Sequence, residues 1–338
     1  MKKLQDYGVD QREISWFTDY LFNRTQDVKI GNQMSSPFNI TSGVPQGSIL
    51  GPLIFLIFFD DLQEQLMRAK CIQYADDTVV YVAHNNVDEI ERILNEEFDR
   101  LHSYFRENEL VLNLKRGKTE SMLFGTAKRL ATQPKNTITI RIDGLPVHHV
   151  ASYTYLGNQL DSKLTLQDNF DKSYRKATGR LTLLAKLRCY LSTEAAFKIF
   201  EMVILPILTY STMISLKLSD TQRKKLISLK SRAEKVIGGS VKVKPIESRM
   251  KINACTFVRN CLDGNTRKSF ENYFEINTHT IGTRNNNKLI KLPFARLEFG
   301  KKAFKFQGAK IYNELPLTIR NSPSLAEFQR KLTAHFDR

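Results

Sequence analysis

The chain has 338 residues, 41% apolar and 25% charged, which is enough apolar side chain for a sizeable core and excludes wholesale disorder. Its cysteines, Cys71, Cys189, Cys255 and Cys261, are too few for a disulfide scaffold and fit a reducing compartment. The net charge of +16 is uneven: residues 1–100 hold 9 Lys/Arg and 16 Asp/Glu (net −7), and the rest hold 42 and 19 (net +23).

Such asymmetry predicts an acidic part doing metal or turn work and a basic part facing a polyanion, with 18 Lys/Arg against 5 Asp/Glu in 172–251. The opening MKKLQDYGVD has no apolar run after its lysines, so no secretory signal is expected. In chain order, Asp10 with Glu13 predicts a capping box for a helix carrying Ile14, Phe17 and Leu21 on one face. Trp16 and Phe17 fit the core of that helix better than a base-stacking platform. Residues 28–30 and 38–40 read as strands around a turn at Gly31–Asn32. TSGVPQGSILGP (41–52) is a Gly/Pro-rich loop. Its glycines serve either a close backbone approach to a ligand or only tight bends; Gln46 adds an amide that donates and accepts. Ser48 or Gly51–Pro52 starts the apolar run 53–59, which is far short of the ~20 residues that span a bilayer and reads as a buried helix.

IQYADDTVVYV (72–82) then sets two acids, Asp76 and Asp77, between strand formers. This predicts an antiparallel hairpin with flanks at 71–75 and 78–83 and the acids at its tip. Asn86 and Glu89 cap the next helix, whose Ile90, Ile93, Leu94, Phe98, Leu101 and Phe105 form an apolar stripe. Strands are expected at 122–124, 137–142 and 153–156, with a hairpin turn at Asp143–Gly144. From Asp168 to 237 the pattern is helical and basic, broken near Pro206. VKVKP (241–245) reads as a boundary and NTHTIGTRNNNK (277–288) as an exposed loop. Ser324 and Glu327 cap a last helix with Leu325, Phe328, Leu332 and Phe336. The class is α/β followed by mostly α.

The aspartate pair is either a solvated hairpin tip or a holder of something strongly positive. Carboxylates converging in a tight turn repel each other unless a cation compensates, and Mg²⁺ takes one or two such carboxylates plus water and phosphate oxygens. Two ions ~3.5–4 Å apart can activate an attacking oxygen and neutralise a leaving one. Asp60 and Asp61, at the far end of the apolar helix, suit cap or surface duty. Cys255 and Cys261 have five residues between them rather than zinc-ligand spacing, so the two cysteines read as buried thiols rather than as a zinc site with His279. His148 and His149 read as surface histidines. Lys172, Arg175, Lys176 and Arg180 follow i, i+3, i+4 and i+8 and share one helix face, either solubilising it or tracking a phosphate backbone.

Several stretches in order carry a resemblance: LQDYGVDQREISWFTDYLFNRTQDVKIG (4–31), SGVPQGSILGPLIFLIFFDDL (42–62), QYADDTVVYV (73–82), LVLNLKRGKTESMLF (110–124), SYTYLGNQLD (152–161) and LRCYLSTEAAFKIFEMVILPILTYS (187–211). Together they resemble the reverse transcriptases of non-LTR (LINE-type) retrotransposons, closely to about residue 240 and more loosely beyond. The resemblance implies a partial right-hand polymerase palm, with fingers and palm in 1–165, a helical thumb in 166–245 and a basic C-terminal region in 246–338. It implies Asp76 and Asp77 as metal-binding carboxylates for two Mg²⁺ ions (or Mn²⁺). Lys118, after Asn113, would lie near the departing pyrophosphate. Gln46, Gly47 and Tyr74 would meet the template base, incoming nucleotide and primer end, while Tyr155, Leu156 and Gly157 would grip the primer. The implied partners are an RNA template, a DNA primer or target and deoxynucleoside triphosphates, in the nucleus and cytoplasm, with no membrane. A further aspartate motif precedes the stretch matched by 4–31 in that family, so the chain is expected to be its C-terminal part, with RNA-directed DNA synthesis in the intact enzyme. A non-catalytic nucleic-acid-binding remnant is the alternative of another class; a group II intron maturase shares YADD but not the GVPQGSILGP wording.

Overall fold

The central helix of the first half, Val87–Glu107, follows from its apolar stripe and from Asn86, whose side chain accepts the Asp88 amide at 2.9 Å. Its stripe faces two clusters. Leu101, Tyr104 and Phe105 pack with Phe59, Leu62 and Leu66, and Leu94 packs with Leu123, Ile138, Ile140 and Ile142. Glu89 does not cap; Arg92 and Arg68 draw its carboxylate outward and hold its pKa down to about 2.

The computed structural model describes residues 1–133, 137–214, 216–239, 241–277 and 289–336. They form two compact units, Met1–Leu123 with Ala127–Ala151, and Phe124–Thr126 with Ser152–Arg338. Among the described residues no helix is long and apolar enough to cross a membrane.

In the first unit strands pair two by two. Lys29–Ile30 meets Gln33–Met34 across the expected Gly31–Asn32 turn, but Phe38–Ile40 pairs with Arg24–Gln26 instead. Lys70–Tyr74 and Asp77–Tyr81 form an antiparallel hairpin. Glu120–Ser121, slightly before the expected 122–124, runs parallel to His148–His149. Arg141–Ile142 and Leu145–Pro146 flank Asp143–Gly144, where both residues take positive φ (51° and 74°) as a two-residue hairpin turn requires. Residues 137–140 contribute buried Ile138 and Ile140 without strand pairing.

Two expectations about burial need correction. The helix Gly51–Phe59 buries Ile54 and Phe59, while Leu53 and Leu56 are 53% and 51% exposed. Apolar on every face, it is covered on one side only. Trp16 is likewise not core: it is 53% exposed in the helix Gln11–Leu21 and stacks on Tyr20, with ring centroids 5.5 Å apart and planes within 4°.

In the second unit the hairpin Ser152–Tyr155/Asn158–Asp161 leads into the helix Gln167–Leu187, followed by shorter helical pieces and Asp220–Ile237. The expected break near Pro206 is instead a π turn at Phe200–Ile204 within a helix that runs on to Thr209. Leu181, Phe200, Leu229, Ile237 and Val243 share one core with Ile246 and Met250, so 241–245 is packed into it. Ile246–Leu262 also carries Cys255 and Val258 into a second core with Tyr312, Phe328 and Leu332, and Ser324 accepts the Glu327 amide at 3.2 Å. Residues 278–288, including His279, lie outside the described residues. Burial pushes the Cys255 thiol up to about 12, so it stays protonated, as expected of a core thiol.

Candidate functional site: an aspartate hairpin and a cationic helix

The aspartates stand where the sequence predicts. Tyr74 and Asp77 are cross-strand partners, leaving Ala75 and Asp76 as the turn. Ala75 holds φ 52°, a left-handed conformation that costs a residue with a Cβ some energy and recurs where function fixes a backbone. Asp76, Asp77 and Tyr74 are exposed. Among the described residues neither carboxylate accepts a hydrogen bond or pairs with a cation. Two adjacent, unpartnered, hard oxygen donors on a constrained turn match what a Mg²⁺ ion takes from protein. Asp60 and Asp61 do not join them. Tyr7 donates to Asp60, and Asp61 is engaged by Lys3 (2.6 Å) and Tyr104 (2.6 Å).

The hairpin is held from below by groups that the motif reading missed. Glu97, fully buried, accepts the Met67 and Arg68 amides at 3.1 and 2.7 Å, just before the first strand. Gln63 accepts the Cys71 amide at 2.8 Å, and Gln73 donates to the Phe59 carbonyl at 2.9 Å. An acid within the apolar stripe of its helix was the available signal for Glu97.

The glycine loop has its own logic. Gly43 and Gly47 take φ of 78° and 84°, and a Cβ at Gly51 would lie 2.9 Å from the Pro45 carbonyl oxygen. Ser48 Oγ donates to that carbonyl (2.8 Å) and accepts the Gly51 amide (3.0 Å), starting the helix as expected. Arg24 donates to the Ser42 and Gly43 carbonyls, a support with no motif to announce it. Gln46 and Gly47 are exposed, and no hydrogen bond joins them to the aspartates. Lys118 is exposed on a turn in which its amide reaches the Lys115 carbonyl (3.0 Å) and the Thr119 amide reaches that of Asn113 (3.2 Å). The structure does not bring Lys118 into an ion pair with Asp76 or Asp77.

In the second unit, Leu156 (φ 44°) and Gly157 (φ 77°) form the turn of the 152–161 hairpin, and Tyr155 ends its first strand opposite Asn158. Lys172, Arg175, Lys176 and Arg180 are all exposed on the helix Gln167–Leu187. Lys172 Nζ lies 3.4 Å from Thr154 Oγ1 and 3.5 Å from Gln159 Oε1, so the cationic face adjoins the hairpin as expected. Both His148 and His149 lie on the short parallel pair; burial lowers the pKa of His149.

The first unit is mixed α/β and sets a two-aspartate hairpin after a glycine loop. Residues 1–160 match the reverse transcriptase (RNA-dependent DNA polymerase) family. The kinship is with the non-LTR kind. The chain is 26% identical over 249 residues to the RNA-directed DNA polymerase from mobile element jockey of Drosophila melanogaster, covering 69% of this chain and 26% of that protein. It is 27% identical over 205 residues to the probable RNA-directed DNA polymerase from transposon BS of the same fly, covering 58% and 22%. For the probable RNA-directed DNA polymerase from transposon X-element the figure is 24% over 228 residues, covering 65% and 24%. The chain thus spans about a quarter of the length of these curated relatives.

Proposed function

We propose that this chain supplies the metal-holding hairpin and the primer- and duplex-holding elements of an RNA-directed DNA polymerase. In that reaction the primer 3′-hydroxyl oxygen bonds to the α-phosphorus of a deoxynucleoside triphosphate, its bond to pyrophosphate breaks, and the hydroxyl proton is lost. The carrying observation is the pair of unpartnered carboxylates at the hairpin tip. Asp76 and Asp77 would hold Mg²⁺ or Mn²⁺, which when bound neutralises charge developing on the phosphoryl oxygens. Tyr74 stands beside the primer end, Gln46 and Gly47 line the template and nucleotide pocket, and Lys118 offers a cation or proton to the departing pyrophosphate. Tyr155, Leu156 and Gly157 hold the primer strand, and Lys172, Arg175, Lys176 and Arg180 track a phosphate backbone. Residues 1–165 act as fingers and palm, 166–245 as thumb, and 246–338 as a basic extension, inside the nucleus and cytoplasm.

A second reading, nucleic-acid binding without turnover, rests on the exposed cations of the helix Gln167–Leu187 alone. Two measurements separate the readings. Mn²⁺ binding, followed by water-proton relaxation, is expected for the chain and lost in Asp76→Asn. Mg²⁺-dependent extension of a DNA primer on RNA, by a polymerase containing this chain, should fall at least ~10²-fold with Asp76→Asn. Near-normal extension by that variant would remove Asp76 as a ligand, and absence of both metal binding and extension would leave the binding-only reading. By itself the chain should extend primers little, since two carboxylates from one turn leave a metal pair short of ligands.

A further inference from the structure

The turn at 155–158 is contacted from two directions, by Asn169 with Ser211 and by Tyr210. Asn169 is 2% exposed, two residues into the helix Gln167–Leu187. Its Oδ1 accepts the Gln159 amide at 2.8 Å, and its Nδ2 donates to Ser211 Oγ at 3.0 Å. Ser211 Oγ in turn donates to Asn158 Oδ1 at 2.5 Å. From the other side the Tyr210 hydroxyl donates to the Leu156 carbonyl at 2.9 Å, and its ring lies 3.5 Å from where a Cβ on Gly157 would stand. Both residues of this two-residue turn, Leu156 and Gly157, hold positive φ, so contacts from neighbouring elements help to fix its conformation. A buried amide is costly unless both its ends are used, and here both are used to join hairpin, helix and the 205–212 segment.

We infer that Asn158, Asn169, Tyr210 and Ser211 form a latch that positions the 155–158 turn on the cationic helix, so that one rigid body meets both the 3′ end of a primer and the phosphates behind it. This rests on the primer-holding reading of the turn. The latch residues are positioning residues: their loss moves the turn and leaves the cations of the helix in place. A recessed 3′ end should therefore lose its special hold while general backbone affinity survives.

The test titrates the whole chain into a labelled RNA–DNA duplex with a recessed DNA 3′ end and into a blunt duplex of equal length. The wild type is expected to favour the recessed end by roughly fivefold or more, the scale of one or two well-placed hydrogen bonds. Asn169→Ala should bring that ratio near one and Tyr210→Phe should lower it about threefold, with blunt-duplex affinity within about twofold of wild type. If both variants weaken recessed and blunt duplexes equally, or keep the wild-type ratio, the latch is structural only and the inference is overturned. Should Asn169→Ala fail to fold, Tyr210→Phe, which removes one hydroxyl from an exposed side chain, decides alone. A wild type with no preference for the recessed end would instead overturn the primer-holding reading on which the latch depends.

Discussion

Glu97 keeps a carboxylate away from water by surrounding it with donors: two backbone amides and Arg100, 3.3 Å away. Replacing it by Ala leaves the Met67 and Arg68 amides without acceptors, each costing about 1–3 kcal/mol, so urea unfolding should show a loss of at least about 2 kcal/mol. A loss below half a kcal/mol would mean that the amides find other partners. Asp61 gives a pH signature. Burial opposes its charge, but the Lys3 ammonium and Tyr104 hydroxyl overcome that and hold its carboxyl below the usual range. Its contribution is present above the unfolded carboxylate pKa of about 3.9 and fades as pH falls through the lower folded value. Urea midpoints measured from pH 5 to pH 3 should therefore fall less steeply in Asp61→Asn than in wild type; parallel curves would exclude this pair from acid sensitivity. At this scale Asp76, Asp77 and the terminal caps were legible, because local chemistry decides them. The roles of Asn169 and Tyr210 were not, because their partners lie 42 and 54 residues away.

Among elements, the helix Gln167–Leu187 contains Gly179, whose missing Cβ would meet nothing within 4 Å. An interior helical glycine costs stability relative to alanine, and here no neighbour demands it, so Gly179→Ala should raise stability by about 0.5–1 kcal/mol in thermal or urea melts. A decrease would reveal crowding at that face. The aspartate hairpin was legible because two acids between β-branched flanks leave few other conformations. The partner of Phe38–Ile40 was not, since several short strands of similar composition compete and turn chemistry alone fixes only the nearest pair. For Gly51–Phe59, composition gave the helix but could not say how much of it is covered. With Leu53 and Leu56 half-exposed, changing both to Gln should alter the unfolding free energy from urea melts by no more than about 0.5 kcal/mol. A loss of several kcal/mol would show that face to be packed.

Over the whole molecule the charge division is the dominant long-range feature, with the cationic excess concentrated in 172–251. Each phosphate neutralised by a lysine or arginine releases counterions, so affinity for an RNA–DNA hybrid or single strand should fall roughly 10³-fold or more from 50 to 200 mM salt if about six contacts form. Replacing Lys172, Arg175, Lys176 and Arg180 together by Ala should flatten the log–log salt slope by about 3 to 4. An unaltered slope and affinity in filter binding would remove this face from the binding surface. Composition made the charge division legible. It could not reveal that Val243, inside the run read as a boundary, is buried in the core shared by Leu229 and Ile246.

Trp16, stacked on Tyr20 in the first unit, is the protein's one tryptophan. Its fluorescence therefore reports on the first unit alone, while far-UV circular dichroism draws heavily on the long helices of the second. A single denaturation followed by both signals separates the fates of the two units without any label. Coincident curves would mean cooperative unfolding, and displaced ones would give each unit its own midpoint.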